Sequence, residues 1–179
     1  MTIMPLGLES HQLAVLGLSA LACGFDVRTR HIPNLLTLGG ALLALAYGIS
    51  TNGTAGLLSS ALGWGTGFAL FLPFFLLGGM GAGDVKLIAC LGAWLGPTSA
   101  MWLALYAAMA GGVMGVMVAL ATGYLRQAVA NVSLLLLFWQ TSGMKPLPAL
   151  TLAEGRGPRL PYAVPIAVGA VALLWLPMW

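Results

Sequence analysis

The sequence predicts an all-α integral membrane protein, a bundle of about six transmembrane helices, and three observations carry that prediction. Of its 179 residues, 60% are hydrophobic and 6% are charged, against roughly a quarter charged in soluble domains. The apolar residues fall in runs approaching the roughly 20 residues that a hydrocarbon core of about 30 Å requires at a rise of about 1.5 Å per residue. The basic residues fall in, or at the edge of, alternate connections between those runs.

The first run covers 12–25, the second 33–49 and the third 55–77, each free of charge. A fourth opens at Asp84 and reaches the Gly96-Pro97 breaker, a fifth covers 98–122 and a sixth 160–179. The stretch 128–139, at about 12 residues, is too short to cross, and predicts an interfacial or re-entrant helix around 126–140. Pro, Gly and charge gather between 142 and 161. This predicts a cytoplasmic linker over about 124–159 before the last helix, within a single membrane-embedded domain of 1–179. No Lys or Arg precedes the first run, so it is expected to be retained rather than removed as a secretory signal.

Orientation follows from charge. Arg28 and Arg30 follow the first run, Lys86 opens the fourth, and Arg126, Lys145, Arg156 and Arg159 lie between the fifth and sixth. The connections 50–54 and 96–99 carry none. By the positive-inside rule these basic residues are cytoplasmic and both termini face outward. Scattered in this way, a formal charge of +3 makes no basic cluster, which excludes nucleic acid as a partner. Cys23 and Cys90 have neither metal-ligand spacing nor the pattern of a disulfide framework, and no metal or other cofactor is expected. The GxxxG spacings Gly63/Gly67 and Gly111/Gly115 predict close helix packing, within one chain or between chains, so oligomeric state stays open.

The chain has four acidic residues. In this topology Glu9 is external, and Asp26, Asp84 and Glu154 are cytoplasmic. Asp26 ends the first apolar run and Asp84 opens the fourth, so two carboxylates distant in sequence reach one membrane face, where ionisable groups are functional candidates. From 85 to the Gly96-Pro97 breaker there is about 18 Å of helix, well short of the core thickness. Asp84 and the glycine-rich stretch 78–83 are therefore expected within the bilayer depth, where irregular backbone needs protein or water beside it. Each aspartate has a plainer reading: Asp26 as an i,i+4 partner of Arg30, Asp84 as an N-cap. Together they suggest more. Two carboxylates in hydrogen-bonding range share a proton; the charged one can deprotonate a water while the protonated one donates to a scissile carbonyl, as in an aspartyl peptidase. A small channel or transporter binding a cation or relaying protons needs buried carboxylates as well.

The segments Phe25-Asp26-Val27-Arg28-Thr29-Arg30-His31-Ile32-Pro33-Asn34 and Gly81-Ala82-Gly83-Asp84-Val85-Lys86-Leu87 resemble the two signature segments of the type IV prepilin peptidases, which are GxGD intramembrane aspartyl proteases. Leu160-Pro161-Tyr162-Ala163-Val164-Pro165-Ile166-Ala167-Val168-Gly169 is similar to that family's last-helix motif. The resemblance implies a catalytic dyad of Asp26 and Asp84, a prepilin or pseudopilin leader cut at the cytoplasmic face, and a bacterial inner membrane. The compact form is similar to the peptidases of Flp, or tight-adherence, pilus systems. It has no cytoplasmic domain or cysteine tetrad of the kind found in the bifunctional members, so N-methyltransferase activity is not expected. A non-catalytic scaffold of pilus assembly is the remaining reading.

Supporting roles are expected around the dyad. Gly81 and Gly83 would let an extended substrate backbone approach, and Pro33 suits the first turn of the second span. Asn34 could hydrogen-bond near Asp26, and Lys86 would screen the dyad or face lipid phosphate. Pro161 and Tyr162 enter through the third motif. His11 and His31 are expected at the interface rather than as ligands, and the Trp and Tyr residues near span ends as interfacial anchors.

Overall fold

The computed structural model describes residues 9–143, 145–147, 150 and 160–176. Its helices are α1 Ser10–Thr29, α2 Asn34–Leu76, α3 Ala82–Leu95, α4 Pro97–Ala121, α5 Leu125–Ser142 and α6 Ala163–Trp175; no strand occurs among the described residues. By length and composition α1, α2 and α4 can each cross a membrane, and α6 is a shorter apolar helix.

The predicted second and third runs are the two limbs of α2. Asn52 and Gly53 leave helical geometry between them, with φ of −130° and +58°, because an Asn-Gly pair reaches the left-handed region with little steric cost. The chain reverses there. The limbs 34–51 and 54–76 run antiparallel, with the Ser60 hydroxyl donating to the Ala44 carbonyl at 3.3 Å. A methyl group added at Gly56 would overlap the Gly48 carbonyl.

Helix α3 is the core of the bundle, with Leu87, Ile88, Ala89, Cys90 and Leu91 fully buried. Its 14 residues give about 21 Å of helix, shorter than a hydrocarbon core. Gly96, at φ +80°, and Pro97, which opens α4, end it, as Gly followed by Pro predicts. The helix begins at Ala82, two residues ahead of the expected start at Asp84, and its N-cap is Gly81. Asp26 also differs from expectation. It lies inside α1, which continues to Thr29, rather than closing it.

Both limbs of α2 pack on α3. The second runs antiparallel to it, Gly63 facing Gly92 and Gly67 facing Ile88 at backbone contact, so this GxxxG pair closes an internal crossing. The first limb is tied to α3 by the Trp94 indole N–H, which donates to the Gly40 carbonyl at 3.0 Å. Tyr47 packs on the Trp94 ring at 5.5 Å. Trp94 thus joins two helices instead of anchoring at an interface, because its donor finds a carbonyl that Gly40 leaves uncovered. Helices α1, α4 and α6 complete the enclosure of α3.

Helix α5, at 18 residues, is longer than the stretch of about 12 read from the apolar run. Tyr124, Gln127 and Asn131 are linked by side-chain hydrogen bonds, which stabilise a polar first turn that hydropathy passes over. It packs mainly on α4, and it is the helix expected around 126–140, within the linker over 124–159. Beyond α5 the structure describes 143, 145–147 and 150 of that linker; Glu154, Arg156 and Arg159, and the expected outward placement of the two termini, lie outside the described residues.

Antiparallel and parallel contacts together sort the helix ends. One end of the bundle gathers the C-terminus of α1, the N-terminus of α2, the N-termini of α3 and α6 and the C-terminus of α4, together with Arg28, Arg30, Lys86 and Arg126. The opposite end holds Glu9, the Asn52-Gly53 turn and Gly96-Pro97.

Candidate active site

Asp26 and Asp84 lie near one another at the basic end of the bundle. Their exposures are 7% and 8%, and the charge of Asp26 acts on the Asp84 carboxyl. Neither is on the lipid-facing surface: α1 and α3 pack together there, and α6 begins beside both.

Asp26 is held by the start of α6. Its Oδ2 accepts the backbone N–H of Ala163 at 3.1 Å, a donor in the first turn that no residue of α6 can satisfy, and the positive end of the helix favours a carboxylate there. One turn earlier on the same face of α1, the Cys23 thiol donates to the Ala163 carbonyl at 3.1 Å. Ala163 is thereby gripped by α1 through both its backbone groups. Beyond Asp26 the helix ends at Arg30, in the left-handed region at φ +54°, whose N–H donates to the Asp26 carbonyl at 2.9 Å. That turn carries Ile32 inward, where it is buried.

Asp84 is the third residue of α3, not its N-cap. Its carboxyl folds back over Gly81, whose backbone N–H is directed at it, and a Cβ on Gly81 would stand 3.0 Å from Oδ2. A Cβ on Gly83 would stand 3.3 Å from the Ile32 Cβ. The two glycines therefore have intramolecular uses: Gly81 clears the space the carboxyl occupies, and Gly83 lets the start of α3 close on the turn that follows Asp26.

The expected supporting residues divide. Tyr162 is half-buried at the N-cap of α6, within electrostatic range of Asp84. The Pro161 carbonyl accepts the Val164 N–H at 3.1 Å, which starts α6 at the level of the dyad. Asn34 does not reach Asp26. Its Oδ1 accepts from the Lys86 ammonium at 2.9 Å, tying the start of α2 to the first turn of α3, and the same bond holds Lys86. Pro33 is the N-cap of α2, one position before the expected first turn, and its carbonyl accepts the N–H groups of Leu36 and Thr37. His31 is exposed, and His11 lies 3.3 Å from Glu9 at the opposite end. Among the described residues no three His, Cys, Asp or Glu side chains group as metal ligands would.

Sequence reading missed Cys23, Ile32 and Ala163. Cys23 had a weak signal, its i,i+3 relation to Asp26 on one helix face. Ile32 and Ala163 fall within the quoted motif segments, but Ala163 acts through its backbone, a role its side chain does not signal.

The family model for the type IV leader peptidase family matches residues 13–116, more than half of the chain. The matched range contains both aspartates and ends before α6. No curated protein and no solved structure matches the chain.

Proposed function

Since the chain belongs to the type IV leader peptidase family, we propose that it is an aspartic endopeptidase in which Asp26 and Asp84 activate a water against the leader of a prepilin or pseudopilin. The observation that carries this reading is the pairing of two buried carboxyls from separate helices, each set against a helix N-terminus, with the charge of Asp26 acting on Asp84. Such a pair shares a proton. Its charged member takes a proton from water as the oxygen attacks the scissile carbon, and its protonated member donates to the carbonyl oxygen as the tetrahedral intermediate forms. Proton transfer to the leaving amine returns the pair to its starting state.

Arg28, Arg30, Lys86 and Arg126 at the dyad end support cleavage at the cytoplasmic face of an inner membrane. A Flp-type substrate, and hydrolysis without N-methylation, rest on the compact resemblance.

The test is co-expression with a candidate prepilin. Wild type is expected to shorten the substrate by its leader, and Asp26→Ala combined with Asp84→Ala is expected to leave it full length on a gel. Unchanged processing by the double variant would sink the reading. Proton or cation flux through wild-type proteoliposomes, without processing, would favour a transporter instead.

Gly81→Ala gives a finer test. The added methyl stands 3.0 Å from the Asp84 Oδ2, so the carboxyl must shift by a fraction of an ångström. Misplacement on that scale is expected to slow cleavage by about 10- to 100-fold, with little change in thermal stability. A wild-type cleavage rate would show that the carboxyl position is not limiting.

A further inference from the structure

We propose that Cys23 is a positioning residue of the dyad: by holding Ala163 it fixes the first turn of α6, and with that turn the backbone donor to Asp26. The inference rests on the peptidase reading and adds to it a side chain that sets the reacting geometry without touching substrate.

Other small polar side chains of α1 fold back on their own helix. The Ser19 hydroxyl donates to the Val15 carbonyl at 2.7 Å and the Thr29 hydroxyl to the Phe25 carbonyl at 2.9 Å, the usual bond to the residue four positions earlier. Cys23 does otherwise. Its thiol crosses to α6 and donates to the Ala163 carbonyl at 3.1 Å. A carbonyl oxygen has two lone pairs, so the thiol joins this acceptor without taking it from the helix. A thiol is a weak donor, and the bond matters less for its strength than for where it places α6.

Cys23 and Asp26, three residues apart, share one face of α1, and both bond the same residue of α6. The Asp26 Oδ2 accepts the Ala163 N–H at 3.1 Å, and Ala163 is fully buried between the two helices. One hydrogen bond alone would let the turn pivot about Asp26; the second removes that freedom. Farther along, α6 is seated on α4, where a Cβ on Gly169 would stand 2.7 Å from the Ala107 backbone nitrogen. What Cys23 adds is therefore the placement of the first turn alone. Tyr162 directly precedes Ala163 and lies within electrostatic range of Asp84, so a slip of this turn reaches both carboxyls. A misplacement of 1 Å costs a reaction about 10²-fold, and a slip of part of that distance predicts a loss of about tenfold.

Wild type, Cys23→Ala, Cys23→Ser and Cys90→Ala, each as the full chain in proteoliposomes, are compared on one candidate prepilin, with Tm measured in detergent. Cys23→Ala removes the donor and is expected to lower kcat about tenfold, with KM within twofold. Cys23→Ser restores a donor and is expected to bring kcat back to within threefold of wild type. Cys90→Ala is the packing control. That side chain is fully buried in α3, so its loss is expected to lower Tm more than Cys23→Ala does and to leave kcat within twofold. Cys23 is then the single thiol of the chain, and its S–H stretching band is expected at the lower frequency of a hydrogen-bonded thiol. A wild-type kcat in Cys23→Ala overturns the proposal, as does a free-thiol band. So does a Cys23→Ser variant as slow as Cys23→Ala, or a Cys90→Ala variant that loses as much kcat, because lost packing would then account for the fall. If wild type leaves the prepilin uncut, the peptidase reading itself fails and the positioning role falls with it; if all four forms cut alike, only the role of Cys23 falls.

Discussion

Asp26→Asn and Asp84→Asn are each expected to lower leader cleavage by about 10³-fold or more while leaving the chain folded. The magnitude follows from what the pair supplies. Positioned acid or base catalysis contributes about 10²- to 10⁴-fold, and removing either carboxyl disables both functions, because a single proton is shared between the two. The amide has the size and hydrogen-bonding reach of the carboxyl. At position 26 its oxygen can still accept the Ala163 N–H that Asp26 holds at 3.1 Å, and at position 84 it can still accept from Gly81. Folding is therefore preserved and only proton transfer is lost.

Asp→Glu separates this mechanism from a looser electrostatic one. The Asp84 carboxyl folds back over Gly81 to accept its N–H, and a side chain longer by one methylene carries the carboxyl on the order of 1 Å away from that position. Asp84→Glu is expected to remain below about one-tenth of the wild-type rate, consistent with the cost of displacing a reacting group by about 1 Å. Cleavage rates on a gel, with size-exclusion profiles as the folding control, measure all three variants. Any of them cutting at the wild-type rate contradicts the dyad.

The second large effect is on stability. Gly63→Val is expected to destabilise the protein by about 3 kcal/mol or more, above the usual range of about 1–3 kcal/mol for overpacking. A Cβ at Gly63 would overlap the Gly92 carbonyl, and the reciprocal contact at Gly92 is with the Gly63 carbonyl. A crowded side chain can change rotamer, but two backbones cannot, so α2 and α3 must separate. Separation would uncover the fully buried face of α3 and pull the start of that helix from Ile32, so activity falls with stability. Gly17→Val is the matched control, since a Cβ there meets nothing within 4 Å. Thermal unfolding in detergent distinguishes them: a large fall in Tm for Gly63→Val and almost none for Gly17→Val. Equal melting temperatures would contradict a backbone-to-backbone crossing.

The apolar runs located most of the helices because membrane burial demands long stretches of one chemistry, and 60% hydrophobic content leaves few other readings. Their ends were less legible. Charge reads as a helix boundary, which puts Asp26 at the close of the first helix and Asp84 at the opening of the fourth; each lies inside its helix, Asp26 because α6 supplies the Ala163 N–H as a partner and Asp84 because its carboxyl accepts the N–H of its own N-cap, Gly81. Helix α5, Leu125–Ser142, falls close to the helix expected around 126–140; the apolar run alone is shorter because hydropathy does not register the polar links among Tyr124, Gln127 and Asn131.

What the sequence determined by itself is the class of protein, the helical runs, the basic end and the two aspartates, because composition, run length and charge placement are local properties of the chain. Only the tertiary structure decided that the two carboxyls come within electrostatic range, that Asn34 serves Lys86 rather than Asp26, and that Cys23 and Asp26 both bond the backbone of Ala163. The same holds for the glycines. Gly63/Gly67 and Gly111/Gly115 have one spacing, yet the first pair closes on the backbone of α3 while the second faces side chains at and just before the start of α6, Pro165 and Leu160, at ordinary van der Waals distance. Spacing places both glycines of a pair on one side of a helix, but what lies across from them is set by how the other helices pack.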